Sequence, residues 1–364
     1  MPANRRRYPG DVGTGVRRVP TGLPPAPCSG RPPLLVLALA LALTQALPLP
    51  QEAGCPSGCR CSTSPNASSV VCRSLEVPSP APLPISTTHL SLEMANVSEL
   101  AEGLLQGLPG LQELHLAGNR LRALPSGFLA PVPGLLVLDL TNNALARLPE
   151  GLFASAGALT HLALKGNRLS ALPPAWQGAL RALRWLDLAE NGLRELPAAA
   201  FRNLSALRAL DLSHNGLCQL PPGLLDGLAR LERLDLAGNR LRALAEATFA
   251  PVPGLRFLFL QGNRLSDLPA GLLRPLRGLD TLDLANNSLA RLPPGLLDEA
   301  RRLGEEFGQG LDLSGNPWHC DEALAGLYGW IRQHGRRMFA LRDTLCASPK
   351  ARKGKQLAEV ATAP

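Results

Sequence analysis

Apolar positions in this chain recur on two scales. Locally they follow L-x-x-L-x-L-x-x-N-x-L, and the pattern returns at Leu111, Leu135, Leu159, Leu183, Leu207, Leu231, Leu255 and Leu279, each step being 24 residues. An imperfect copy precedes it, with Leu90, Leu92 and Val97 in place and Ala95 where Asn belongs; a last copy holds Leu311, Leu313 and Asn316. A fixed period of this length predicts a solenoid of stacked turns. In each turn the fourth and sixth residues, such as Leu114 and Leu116, alternate with others, which predicts a short strand with one buried face. The Asn column (Asn119, Asn143, Asn167, Asn191, Asn215, Asn239, Asn263, Asn287, Asn316) supplies amides that can satisfy backbone groups where the chain leaves the strand. The rest of the turn reads L-P-x-x-L/F, with Ala245 replacing the Pro once. Pro donates no backbone hydrogen bond and disfavours helix in the residue before it, so the outer side should be extended or in short 3₁₀ turns. Strands spaced ~4.8 Å apart against a bulkier outer layer force curvature with the sheet inside. The predicted architecture is a curved α/β-type solenoid, a right-handed superhelix with a parallel β-sheet on its concave face, spanning about 45–50 Å.

The ends differ from the array. Leu34 to Leu43 is a run of ten uncharged apolar residues with arginines upstream and Thr44-Gln45-Ala46 after it. A basic flank, a short apolar stretch and small residues at the cleavage positions predict a secretory signal over 1–46. The run is too short to span a bilayer about 30 Å thick, so no membrane anchor is expected. Cys55, Cys59, Cys61 and Cys72 crowd the segment 47–84, and Cys320 and Cys346 lie in 317–364. Solenoid end faces need covering, so these segments read as disulfide-bonded caps flanking repeats at 85–316. Spacing alone leaves three pairings open among the first four cysteines. Leu324, Leu327, Tyr328 and Ile331 recur at helical spacing in the second cap, where Trp318 and Trp330 should be core. Lys350 to Lys355 reads as a solvated basic tail.

Composition narrows the function. The formal charge is +8, but six arginines and one acid fall within 1–46, leaving 31 bases against 28 acids. A nucleic-acid surface therefore lacks its electrostatic basis. Serine-hydrolase, zinc-protease, P-loop and dinucleotide motifs are missing, so no enzyme activity and no cofactor are expected. His89, His115 and His161 fall on the concave columns but lack a recurring metal-ligand spacing, and no metal is expected either.

The 24-residue repeat, the CPSGCRC cap and the NPW-x-C…C cap resemble the extracellular leucine-rich repeat family over about residues 55–346. Within it, the segments LQELHLAGNRL, FLAPVPGLLVLDLTNNALARLPEGLF, LDLANNSLA and NPWHCDEALAGLYGWIRQHGRRMF are similar to a secreted plasma glycoprotein. The resemblance implies a leucine-rich repeat solenoid that acts by binding, with a link to transforming growth factor β receptor signalling, to vessel growth and to cytochrome c. It also implies the pairs Cys55–Cys61 and Cys59–Cys72, with one further bridge, Cys320–Cys346. A matrix structural protein and a stoichiometric enzyme inhibitor are the alternatives within the family.

A partner would meet the third and fifth residues of each repeat. The predicted protein-binding residues are Glu113, His115, Val137, Asp139, His161, Trp185, Asp187, Asp211, Arg233, Asp235, Phe257, Phe259 and Asp283. Trp185, Phe257 and Phe259 are the expected apolar anchors. The recurrent Asp reads either as a docking strip for a basic partner or as ordinary repeat wording. Glycosylation sequons stand at Asn66, Asn96, Asn203 and Asn286, none on a buried Leu or column Asn. Cys218 occupies an outward column and is either a pairing or an inert thiol.

Overall fold

The computed structural model describes residues 55–73, 83–174 and 176–362; the predicted secretory signal lies outside them. Strands β1 (Cys59–Ser64) and β2 (Ala67–Cys72) form an antiparallel hairpin. Then come β3 (His89–Ser91), β4 (Glu113–His115), β5 (Val137–Asp139), β6 (His161–Ala163), β7 (Trp185–Asp187), β8 (Ala209–Asp211), β9 (Arg233–Asp235), β10 (Phe257–Phe259), β11 (Thr281–Asp283) and β12 (Leu311–Asp312). From β2 onward the strands pair in parallel and in sequence order, so β1 to β12 make one 12-stranded sheet. The 24-residue period appears directly as register: Leu114 lies opposite Leu138, and Leu234 opposite Leu258. Strands β3 to β11 are three residues each, the middle one pointing inward between the third and fifth repeat positions that face the concave side.

The predicted column of asparagines does its work by hydrogen bonding between turns. The Asn215 amide nitrogen donates to the carbonyls of Leu188 (3.0 Å) and Leu212 (3.1 Å), and its oxygen accepts from the Leu193 amide at 3.1 Å. The same arrangement recurs from Asn119 to Asn316. Ala95 leaves no gap, because the groups an Asn there would serve have other partners: the Arg73 amide donates to Gly58, the Ser68 carbonyl accepts from the Thr88 amide, and the Leu92 carbonyl accepts from Asn119. The residue just before the column adopts positive φ throughout, which is why Gly stands at 118, 166, 238, 262 and 315. Where Asn142, Glu190, His214 and Asn286 occupy that place they accept φ of 52–54°.

The outer side is a run of turns closed by i+3 to i bonds, such as Leu104 to Ala101 and Leu108 to Leu105. Inside lies one continuous apolar core, with the Leu columns almost fully buried.

Both caps hold the bridges that the resemblance implied: Cys55–Cys61, Cys59–Cys72 and Cys320–Cys346. The first cap does more than cover, because β2 continues the parallel sheet and buries Val70 and Cys72 against the first turn. In the second cap, β13 (Trp318–His319) pairs with β14 (Cys346–Ser348), and α1 (Ala325–His334) buries Leu327, Tyr328, Trp330 and Ile331. Trp318 is fully buried and donates to the Leu313 carbonyl at 3.0 Å. The basic tail needs correction. Its side chains are exposed, but the segment folds back: Gly354 donates to Cys346, the Arg352 guanidinium to Cys320, and α2 (Leu357–Thr362) seals Leu357 and Ala361 against the cap. Two apolar residues beyond a charged run were too short a signal for a helix.

Candidate functional site

The predicted binding residues lie along β4 to β11 on one face, and three zones differ in chemistry. At the first-cap end the groups are polar. Glu113 receives two imidazoles, His115 Nε2 at 3.1 Å and His89 Nε2 at 3.5 Å, while His89 Nδ1 lies 2.7 Å from the Thr88 hydroxyl. Glu93, His115 and Asp139 each place a ligand atom within 4.8 Å of the other two. Beside them is a hollow of about 520 Å³, lined by His115, Val137, Asp139, Thr141, His161 and Trp185. Trp185 leans on His161 with ring centres 6.4 Å apart.

The middle zone holds the Asp ladder, and here the expectation changes. Asp187 and Asp235 are buried, not open to a partner. Each fifth-position Asp turns one oxygen to the amide two residues on: Asp139 to Thr141, Asp187 to Ala189, Asp211 to Ser213, Asp235 to Ala237 and Asp283 to Ala285, all at 2.9–3.1 Å. The recurrent Asp is thus first a turn residue that satisfies an amide leaving the strand. Crowding has an electrostatic consequence. Burial pushes the Asp187 carboxyl up to about 6, reinforced by Asp211 and opposed by the Ala189 amide. Asp283 is likewise raised to about 6 by burial, and then by Asp312 and Asp235. Asp235 is raised too, again chiefly by burial.

The third zone is aromatic and cationic. The Arg233 guanidinium sits 4.1 Å from the Phe259 ring centre and bonds Asp235 at 3.1 Å. Phe257 meets Phe307 at 5.9 Å between ring centres, with Arg256 over the Phe257 ring at 5.3 Å and paired with Glu306. Phe307 is 62% exposed, the largest apolar group so placed near the sheet. It comes from a segment that the repeat period does not require: Leu311 pairs with Leu282, five residues later than 24 would set it. Buried Asp280 anchors that segment, accepting the Glu306 amide on its side chain and the Gly304 amide on its carbonyl. Sequence reasoning missed Phe307 and Glu93; the broken period between Leu279 and Leu311 was the available signal for the first.

The four sequon asparagines, Asn66, Asn96, Asn203 and Asn286, are all exposed. Cys218 is an exposed free thiol. Among the described residues, no helix is long and apolar enough to cross a membrane.

These features define a leucine-rich repeat solenoid with disulfide-bonded caps, and the leucine-rich repeat family model matches in overlapping windows, 86–145, 109–169, 133–193, 157–217, 181–241 and 217–265. The chain belongs to the leucine-rich repeat family. Its relatives include a phospholipase A2 inhibitor of Gloydius brevicaudus siniticus, 47% identical over 45 residues (12% of this chain, 14% of the relative). The platelet glycoprotein Ib beta chain of Rattus norvegicus is 40% identical over 70 residues (19% and 31%). Leucine-rich repeat-containing G-protein coupled receptor 5 of Rattus norvegicus is 37% identical over 94 residues (25% and 10%). The chain thus matches no more than about a third of the length of these relatives.

Proposed function

We propose that this is a secreted plasma glycoprotein that acts by binding a protein on its concave sheet, with no catalytic step of its own. The observation that carries this is the cluster of partly exposed aromatic and arginine side chains, Phe257, Phe259, Phe307, Arg233 and Arg256, at one end of the strand frame. Aromatics and arginine are the groups that dominate binding energy at protein interfaces. Disulfides at both caps fit an oxidising compartment. The finer reading rests on resemblance to leucine-rich α-2-glycoprotein: the partner is the transforming growth factor β receptor complex, the effect is on vessel growth, and cytochrome c is a second ligand.

Surface plasmon resonance of the purified protein over receptor ectodomains and cytochrome c tests it. Wild type should bind at least one, and joint Phe257→Ala and Phe259→Ala replacement should weaken that binding at least about tenfold. Replacing the exposed outer residue Glu195 by Ala should leave it unchanged. Binding that survives loss of the concave aromatics sinks the proposal.

Similarity to phospholipase A2 inhibitors of Gloydius brevicaudus siniticus and Elaphe climacophora, the latter 53% identical over 47 residues, favours a second reading as a stoichiometric enzyme inhibitor. Secreted phospholipase A2 belongs on the same panel, and a one-to-one complex that blocks hydrolysis would select it.

A further inference from the structure

We propose that Glu93, His115 and Asp139 form a Zn²⁺ site on the concave face, with an exchangeable position open toward the Trp185 hollow. The three residues come from successive turns. His115 on β4 lies directly opposite Asp139 on β5, and Glu93 follows β3, so the parallel register itself gathers them. Their ligand atoms are within 4.8 Å of one another. A tetrahedral zinc with bonds of about 2.0–2.2 Å needs its donors roughly 3.5 Å apart, a closure that the exposed Glu93 side chain can make by rotation.

Convergence on an imidazole separates this group from a solvated acidic patch, and two supports orient it. Asp139 has one oxygen fixed by the Thr141 amide at 2.9 Å, which leaves the other for the metal. Glu113 accepts from His115 Nε2 at 3.1 Å, so a zinc at this site would take the ring's Nδ1. A carboxylate behind a ligating histidine is the usual second layer of a zinc centre, fixing the ring and raising its basicity. Glu113 is held in turn by His89, which is itself held by Thr88. One imidazole with two carboxylates suits Zn²⁺ better than Ca²⁺ or Mg²⁺, which take oxygen ligands in larger number. Three protein ligands leave a fourth position for water or for a partner's carboxylate or imidazole. His115 and Asp139 themselves line the hollow of about 520 Å³ that also holds His161 and Trp185, so a partner group entering it would reach that position. The site stands whether or not the aromatic end binds the proposed partner.

The test is calorimetric titration of metal-stripped, tag-free protein with ZnCl₂, with thermal unfolding alongside. Wild type should take up one Zn²⁺ with a micromolar dissociation constant and unfold at a higher temperature with the metal present. His115→Ala and Asp139→Asn should abolish both effects while unfolding like wild type without zinc. Glu113→Gln should keep one site at about tenfold weaker affinity. Millimolar Ca²⁺ should not displace the zinc. No uptake at about 100 μM Zn²⁺ overturns the proposal. So does uptake that His115→Ala leaves intact, or uptake that disappears in Cys218→Ser instead.

Discussion

The two ends of the concave sheet stand on the same frame and carry opposite chemistry. Around β4 and β5 the outward groups are Glu113, His115, Asp139 and the neighbouring Glu93, a hydrogen-bonded polar net. Around β9 and β10 they are Arg233, Phe257 and Phe259, joined by Arg256 and Phe307. Beneath both, Leu114, Leu138, Leu234 and Leu258 are equally buried, and Asn143 and Asn263 make equivalent bonds. The frame is therefore indifferent to what it displays. Stability comes from the inward column and the asparagines, and the difference between the ends lies in the side chains displayed on and beside the strands.

The largest effect should come from breaking the frame, equally at either end. Asn143→Leu and Asn263→Leu each leave a buried amide without a partner, at about 1–3 kcal/mol, and take one of two donors from each of two carbonyls, at about 0.5–1.5 kcal/mol apiece. A loss of about 4 kcal/mol is expected for both, read as a fall in the urea midpoint. A difference between the two above about 2 kcal/mol would mean that the ends are not built alike.

Next in size is the binding contrast. Joint Phe257→Ala and Phe307→Ala replacement should weaken partner binding by about 2–3 kcal/mol, or about 30- to 150-fold, while Trp185→Ala costs less than about 1 kcal/mol. Surface plasmon resonance with one partner reads both. The reverse order would move the anchor to the polar end.

That contrast was only half legible in the sequence. Strict spacing made the frame readable, since every buried Leu and column Asn repeats, and the third and fifth positions followed from the two-residue alternation. The fifth-position Asp was ambiguous because one residue type serves two purposes. Only coordinates reveal that its oxygen is already committed to the amide two residues on. Phe307 was hidden because it lies outside the period, in a segment placed by a long-range bond to Asp280. Glu93 was hidden because a neighbouring turn, not a neighbouring residue, brings it to His115. Periodicity reports what each turn shares and is silent on what two turns assemble.

The Asp ladder that runs along the same face gives a pH response. Asp187 and Asp283 titrate near 6 in the folded chain and near 3.8 when unfolded, so the folded state holds more protons between those values. Stability contributed at these two positions is therefore greatest below about pH 4 and falls as pH rises through 6. Asp187→Asn with Asp283→Asn should stabilise the protein at pH 7 by about 1 kcal/mol, discounted for water reaching the face, and flatten the slope between pH 4.5 and 7. Urea midpoints at the two pH values check it. Destabilisation at pH 7 would mean that the ionised carboxylates' bonds to Ala189 and Ala285 outweigh their burial.

The smallest expected effect isolates display from frame at the aromatic end. Arg256 is half-buried over Phe257 and paired with Glu306, both contacts lying at the solvent edge. Exposed ion pairs contribute about 0–1 kcal/mol and an exposed cation–π contact about 0.5–1, part of which the freed side chain recovers as entropy. Arg256→Ala should therefore lower the urea midpoint by less than about 0.5 kcal/mol equivalent, because Asp280 still holds the extra segment. The same substitution should cost more in partner affinity than in stability, since it removes a flanking cation and loosens the Phe257 ring. A stability loss above about 1.5 kcal/mol would make the aromatic end part of the frame, and the division between the two would fail there.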